Sequence, residues 1–239
     1  MEQAKHLMSD YLFSPPVIPA LPIRNTRRLF PIRRIFCVGR NYEAHAKEMG
    51  FSVERDAPFF FTKSAHAYVA SGAAIPYPPG TADCHYEMEL VAAIGKAGFN
   101  ISEAQALEYV FGYACGLDMT RRDLQIRARE KKLPWDFGKD FENAAVLSEI
   151  APASVIGHPA RGKIELELNG AVKQSSDIGL MIHPLPALIA YLSGFYHLEP
   201  GDLLFTGTPA GVGPVAPGDH IEGRIEGVGS LTMDIGGPD

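Results

Sequence analysis

The 239-residue chain has only three cysteines, Cys37, Cys84 and Cys115, and no C-x-x-C pair. An odd, widely spaced set excludes a zinc knuckle and a disulfide framework. It fits three reduced, mostly buried thiols in a cytoplasmic protein. No run approaches the roughly 18–20 apolar residues that span a bilayer, so no membrane partner is expected. Met1 to Asp10 is polar and mixed in charge, unlike a secretory leader. Positive charge is not in excess. The 22 Lys and Arg against 28 Asp and Glu leave −6, which argues against a general nucleic-acid binder. The G-x-S-x-G elbow and H-E-x-x-H are absent, and Gly207–Gly213 lacks the Lys-Ser/Thr that completes a phosphate loop. The common serine-hydrolase, zinc-peptidase and nucleotide arrangements are thereby set aside.

What the chain does have is turns, with 24 glycines and 19 prolines. Its length suits one large domain or at most two small ones. Residues 1–32, with Pro15, Pro16, Pro19 and Pro22 followed by Arg24, Arg27 and Arg28, read as an extended arm lying on the core or on a partner subunit. Residues 33–239 read as a single catalytic domain. Short apolar runs predict strands at 35–38, 59–61, 86–94, 109–117, 203–205, 220–225 and 230–233. Lys163–Leu168 alternates and is followed by Asn169-Gly170, the strongest short hairpin signal. Helices are predicted at 42–49, with Asn41 as N-cap, at 120–131 and at 185–195. Strands dominate without βαβ alternation. The expected class is therefore mixed α+β and strand-rich rather than doubly wound.

The main chemical signal is His85-Tyr86-Glu87-Met88-Glu89-Leu90. In a strand, residues i and i+2 share a face, which puts Glu87 and Glu89 together. Their face continues as Val91 and Ala93, so it is not a charged solvent face along its length. Two carboxylates on a half-buried face repel and cost desolvation free energy, and a divalent cation relieves both. Oxygen-only ligands suit Mg²⁺, Mn²⁺ or Ca²⁺ better than Zn²⁺. A polar outer strand face stays open as the alternative for the bare E-x-E. Asp118, ending the next apolar strand, adds a third acid. Three carboxylates and one dication leave a formal charge of about −1. An anionic substrate would then need cations, for which Arg40, Lys63, Arg122 and Lys139 are candidates. His85 is a further candidate for the metal shell if the strand begins by residue 85.

These blocks resemble the fumarylacetoacetate hydrolase family, in order along most of the chain. They are Gly39-Arg40-Asn41-Tyr42 with His45 and Glu48, Phe61 with Lys63, Glu87-Met88-Glu89-Leu90, Asp118-Met119-Thr120-Arg121-Arg122, Gly138-Lys139, and Thr206-Gly207-Thr208-Pro209 running to Gly213. The resemblance implies a mixed α+β, β-roll or barrel-like fold of the family's C-terminal domain type, in the short bacterial form and usually as a homodimer. It implies Glu87, Glu89 and Asp118 as ligands of a divalent cation, Mg²⁺ first. It implies His45, Glu48 and Lys139 as catalytic groups. Arg40, Lys63, Arg122, Thr206, Gly207 and Thr208 would contact a small anionic 2-oxo acid. Ala57-Pro58-Phe59-Phe60-Phe61-Thr62-Lys63 and Pro134-Trp135-Asp136-Phe137-Gly138-Lys139 are similar to the branch of the family that hydrolyses a C–C bond in acylpyruvates such as fumarylpyruvate. The alternatives are oxaloacetate decarboxylation or isomerisation of a 2-oxo diacid on the same site, and a catalytically silent binding protein.

Overall fold

The computed structural model describes residues 11–50 and 57–238. Residues 1–10 of the expected arm lie outside the described residues. Of the rest of that arm, residues 11–18 and the turn over 25–29 are exposed. Ala20–Pro22 and Leu29–Pro31 instead pair antiparallel. Leu21, Ile23, Phe30 and Ile32 join the same apolar core as the rest of the chain. Burying such a side chain stabilises by about 1.5–3 kcal/mol, enough to draw this hairpin in. The core thus starts near residue 20, ahead of the boundary expected at residue 33.

The principal sheet contains β1 (Arg34–Gly39), β2 (Phe59–Lys63), β3 (Tyr68–Ala70), β4 (Met88–Ile94), β5 (Val110–Asp118), β6 (Ala145–Leu147) and β7 (Asp202–Phe205). Their spatial order is β2-β1-β7-β4-β5-β6-β3, with Ala151–Pro152 pairing β5 off this path. The β7–β1 and β6–β3 pairs are parallel and the others antiparallel. A second, five-stranded sheet carries the expected hairpin. Lys163–Leu168 and Ala171–Asp177 pair antiparallel around Asn169 and Gly170, whose φ values of 53° and 75° are those the turn demands. Helices α1 (Glu43–Glu48), α2 (Arg122–Glu130) and α3 (Asp136–Lys139) lie on the connections between principal strands. Among the described residues no helix is long and apolar enough to cross a membrane.

Two local expectations change. The strand expected over 86–94 breaks at Glu87. Cys84–Tyr86 joins a small sheet with Thr120–Arg121 and Gly213–Pro214, while β4 enters the principal sheet. All seven residues of β4 are buried, so both of its faces are interior. Asn41 does not cap α1, whose N-cap is Tyr42 with no side-chain cap hydrogen bond. The fully buried Asn41 amide instead donates to His183 O at 3.0 Å and Thr206 O at 2.8 Å, and its oxygen accepts from His183 N at 2.7 Å. Three distant backbone groups, the Thr206 carbonyl among them fully buried, outcompete the local cap because a buried polar group left unpaired is costly.

Candidate active site

Strand register brings the acids together. Glu89 of β4 lies opposite Gly116 of β5. Asp118, two residues further along, shares that face and lies on the diagonal. Glu87 sits in the link just before β4, where its carbonyl accepts from Asp118 N at 2.9 Å. One ligand atom from each of Glu87, Glu89 and Asp118 falls within 4.8 Å of the others, and all three residues are buried. A solvent-facing E-x-E is thereby excluded.

Buried cations compensate the acids. Glu87 accepts from Arg122 through Oε1 and from Lys139 Nζ at 2.8 Å through Oε2. Lys139 Nζ also donates to Asp118 Oδ2 and Thr120 Oγ1, both at 2.7 Å, so its three hydrogens are all engaged. Lys63 Nζ donates to the carbonyls of Met119 (3.1 Å) and Lys139 and forms an ion pair with Asp118 Oδ1 at 2.8 Å. That contact falls outside hydrogen-bond geometry, and among the described residues the buried Asp118 Oδ1 has no hydrogen-bond partner. Gly138 makes Lys139's placement feasible: a Cβ there would lie 2.9 Å from Gln125 N, so only glycine lets α3 abut α2 so closely.

The acids titrate apart. Burial pushes Glu87 upward, but Lys139 and Arg122 outweigh it and hold the carboxyl far below the usual range. Glu89 is forced well above that range by burial, and then by the charges of Asp118 and Glu87. The Gly207 amide at 2.7 Å offsets this only in part. Burial also works against the Lys139 ammonium, yet Asp118 and Glu87 raise it above its ordinary value. Opposed shifts within one cluster of titratable groups mark a functional site.

Across the cleft stands α1. His45 Nδ1 lies 3.3 Å from Glu48 Oε2, a pairing allowed by their i, i+3 spacing. The Gly211 amide donates to both Glu48 oxygens, at 3.1 and 3.2 Å. The hydrogen bond with His45, aided by that amide, holds the Glu48 carboxyl below its ordinary range. The cleft lies between α1 and the acid cluster, with His45 on one wall and Glu87 and Glu89 on the other. Of the expected site residues, Arg40, His45, Glu87, Glu89, Arg122, Lys139 and Thr208 line it.

The others stand behind or beside that surface. Lys63 and Asp118 are buried beneath it. Thr206 does not reach the cleft, and its hydroxyl donates to Leu90 O at 2.9 Å. Gly207 acts through its amide on Glu89. Thr208 lines the wall while its hydroxyl donates to Met88 O at 2.8 Å and accepts from Gln174. His85 is turned away from the acids, bonded to Asp83 at 2.9 Å and accepting from Arg122 Nε at 3.4 Å. Arg40 holds a left-handed φ of 61°, uncommon for a non-glycine residue and typical of functional loops. Sequence reasoning missed Gln125, Ile126, Arg129 and Trp135, which also line the cleft. The first three follow Arg122 at i+3, i+4 and i+7, a helical periodicity that would have exposed them.

The fold and the site together define a mixed α+β enzyme with an oxygen-donor site suited to a divalent cation. The sequence matches the family described as Fumarylacetoacetate (FAA) hydrolase C-terminal over residues 34–235, and the chain belongs to that family. It is 53% identical over 190 residues to a fumarylpyruvate hydrolase of Ralstonia sp, covering 79% of this chain and 98% of that one. It is 40% identical over 207 residues to a mitochondrial oxaloacetate tautomerase of Homo sapiens, covering 87% and 93%. The crystal structure of fumarylpyruvate hydrolase from Pseudomonas aeruginosa, in complex with Mn²⁺ and pyruvate, superposes with a TM-score of 0.93 at 49% identity, covering 95% of this chain and all of that one.

Proposed function

We propose that this enzyme hydrolyses a C–C bond in a 2,4-dioxo acid, converting fumarylpyruvate to fumarate and pyruvate. The observation that carries the reading is the buried acid triad facing the His45–Glu48 pair across one cleft, in a chain so similar to fumarylpyruvate hydrolases. Glu87, Glu89 and Asp118 would hold the dication, with Mg²⁺ preferred and Mn²⁺ or Ca²⁺ accepted by the same oxygen donors. Two features of this chain fit such an ion: Asp118 Oδ1, which faces Lys63 as an ion pair but accepts no hydrogen bond among the described residues, and a Glu89 carboxyl that resists ionising among its neighbours. A dication bound there supplies Lewis-acid polarisation of the substrate's 2-oxo acid end.

The protein's own groups do the rest. His45 takes a proton from water. Glu48, ionised and latched to Gly211, orients the imidazole and stabilises its cation. The resulting hydroxide adds to the C4 carbonyl, and the C3–C4 bond breaks. C4 leaves as the new carboxyl group of fumarate, which ionises and gives its proton to solvent. The bonding pair passes to the pyruvate fragment as its enolate, and His45 returns the proton to C3. Lys139, its hydrogens committed to Glu87, Asp118 and Thr120, acts on the developing oxyanion chiefly as a nearby charge.

The cations also resolve a charge problem. Lys63, Arg122 and Lys139 already balance the three acids, so a bound dication makes the pocket net positive by about two charges, matched to a dianionic substrate. A homodimer is the proposed assembly, with the exposed apolar residues of the arm, Leu12, Phe13, Val17 and Ile18, as part of its contact surface. A cytoplasmic location is proposed with it.

The oxaloacetate tautomerase relatives favour a second reading, tautomerisation or decarboxylation of oxaloacetate by the same enolate-stabilising apparatus. Purified protein with Mg²⁺ is to be given fumarylpyruvate and, separately, oxaloacetate. Stoichiometric fumarate and pyruvate support hydrolysis. Turnover of oxaloacetate with no cleavage of fumarylpyruvate would replace it with the second reading.

A further inference from the structure

The cleft has an inner and an outer end. Glu87, Glu89 and Lys139 line only the cleft. Arg40, Phe61, Arg129 and Trp135 line both the cleft and the open groove adjoining it, which places them at the mouth. Helix α2 runs between the two ends and turns one face to the cleft, with Arg122 innermost on Glu87, then Gln125 and Ile126, then Arg129. Arg129 Nη1 donates to Met49 O at 3.3 Å, directly beyond α1. At 1.5 Å rise per residue, Arg122 and Arg129 are separated by about 10 Å along the helix. At the same mouth the Arg40 guanidinium stands 5.9 Å from the centre of the Phe59 ring, against which Trp135 packs edge-on with centroids 5.0 Å apart.

This spacing is a ruler for substrate length. An extended seven-carbon chain spans about 7.5 Å between its terminal carbons, and a four-carbon chain about 4 Å. With its 2-oxo acid end at the triad, a seven-carbon diacid brings its second carboxylate within a hydrogen bond of the outer arginines. A four-carbon diacid stops beside Gln125 and Ile126. Guanidinium groups bind carboxylates through a planar two-pronged fork, and aromatic walls suit a flat conjugated chain.

We propose that Arg129, assisted by Arg40, receives the distal carboxylate of a seven-carbon 2-oxo diacid and thereby sets the chain length that the enzyme selects. The orientation of the substrate rests on the functional reading above. The test uses two ligands that lack the 4-oxo group and so are not cleaved, 2-oxoheptanedioate and the equally long monoacid 2-oxoheptanoate. Both are titrated calorimetrically into the Mn²⁺-loaded protein.

The wild type is expected to bind the diacid roughly 10- to 100-fold more tightly, the span of a charge-assisted pair. Arg129→Gln removes most of that gap and leaves monoacid affinity unchanged, while Arg129→Lys restores part of it. The inference is overturned if the wild type shows no gap or if the gap survives in Arg129→Gln. Equal weakening of both acids also overturns it, because Arg129 would then only prop Met49 and α1. Cleavage of fumarylpyruvate is measured separately. Diacid selection through Arg129 without cleavage would refute the hydrolase reading alone.

Discussion

Replacing Lys63 by methionine keeps most of the aliphatic stem and deletes one buried ammonium. That ammonium has no solvent-exposed surface, and it is an ion-pair partner of Asp118 and a donor to the carbonyls of Met119 and Lys139. Stranding a buried charge costs about 3–5 kcal/mol, and Asp118 keeps Lys139 at 2.7 Å, so the lower end, about 3 kcal/mol, is expected. For a chain of this size, at 2–4 °C per kcal/mol, the melting temperature of the metal-free protein should fall by about 10 °C. With saturating Mn²⁺ the penalty should shrink, because the cation neutralises Asp118 in place of the lysine. The thermodynamic cycle then requires Lys63→Met to bind Mn²⁺ more tightly than the wild type, by the same free energy that the penalty loses. Urea unfolding in chelator and in Mn²⁺, together with calorimetric metal titration, measures every leg. An identical penalty in both conditions, or weaker Mn²⁺ binding by the variant, would refute the compensation argument.

Other consequences are equally direct. His45→Ala should lower kcat by roughly 10²–10⁴, the usual weight of a general base, with Mn²⁺ affinity unchanged by calorimetry. Glu48 contributes stability that is present above the ordinary carboxylate range and lost as pH falls through its lowered value, so Glu48→Gln should flatten that acid limb in denaturant titrations. Glu89 has the opposite sign. Its stabilising contribution to metal-free protein is complete below the ordinary carboxylate range and is lost as pH rises toward its raised value. Mn²⁺ binding should therefore release a proton, seen as a buffer-dependent calorimetric enthalpy that Glu89→Gln abolishes. Gly211→Ala places a Cβ 2.1 Å from Lys173 O at a φ of +97°, and should cost at least about 2 kcal/mol in unfolding experiments while slowing turnover through the displaced Glu48.

The acids were legible because their signal is local. An E-x-E in an apolar strand, and an acid at the end of the next, is unusual chemistry that a short window reveals. The Asn169-Gly170 hairpin was legible for the same reason, since the turn demands its own residues. Asn41 was misread because its partners, His183 and Thr206, are more than 140 residues away, and a cap is only its nearest use. The hairpin over 20–32 hid behind its prolines and arginines, which describe the exposed edge and not the four apolar side chains beneath. Lys63 reads as a substrate contact rather than a partner of Asp118 because nothing near it in the chain shows that its strand lies over that acid. The break at Glu87 was invisible because alternation continues through it while the backbone changes sheets.

The loop from Thr206 to Gly213 holds two amides four residues apart, one on Glu89 and the other on Glu48. One short stretch of backbone therefore ties α1, the proposed proton-handling helix, to the acid cluster. A displacement of this stretch would act on Glu89 and Glu48 at once. The outer turn of α2, which carries Arg129, takes no part in this link.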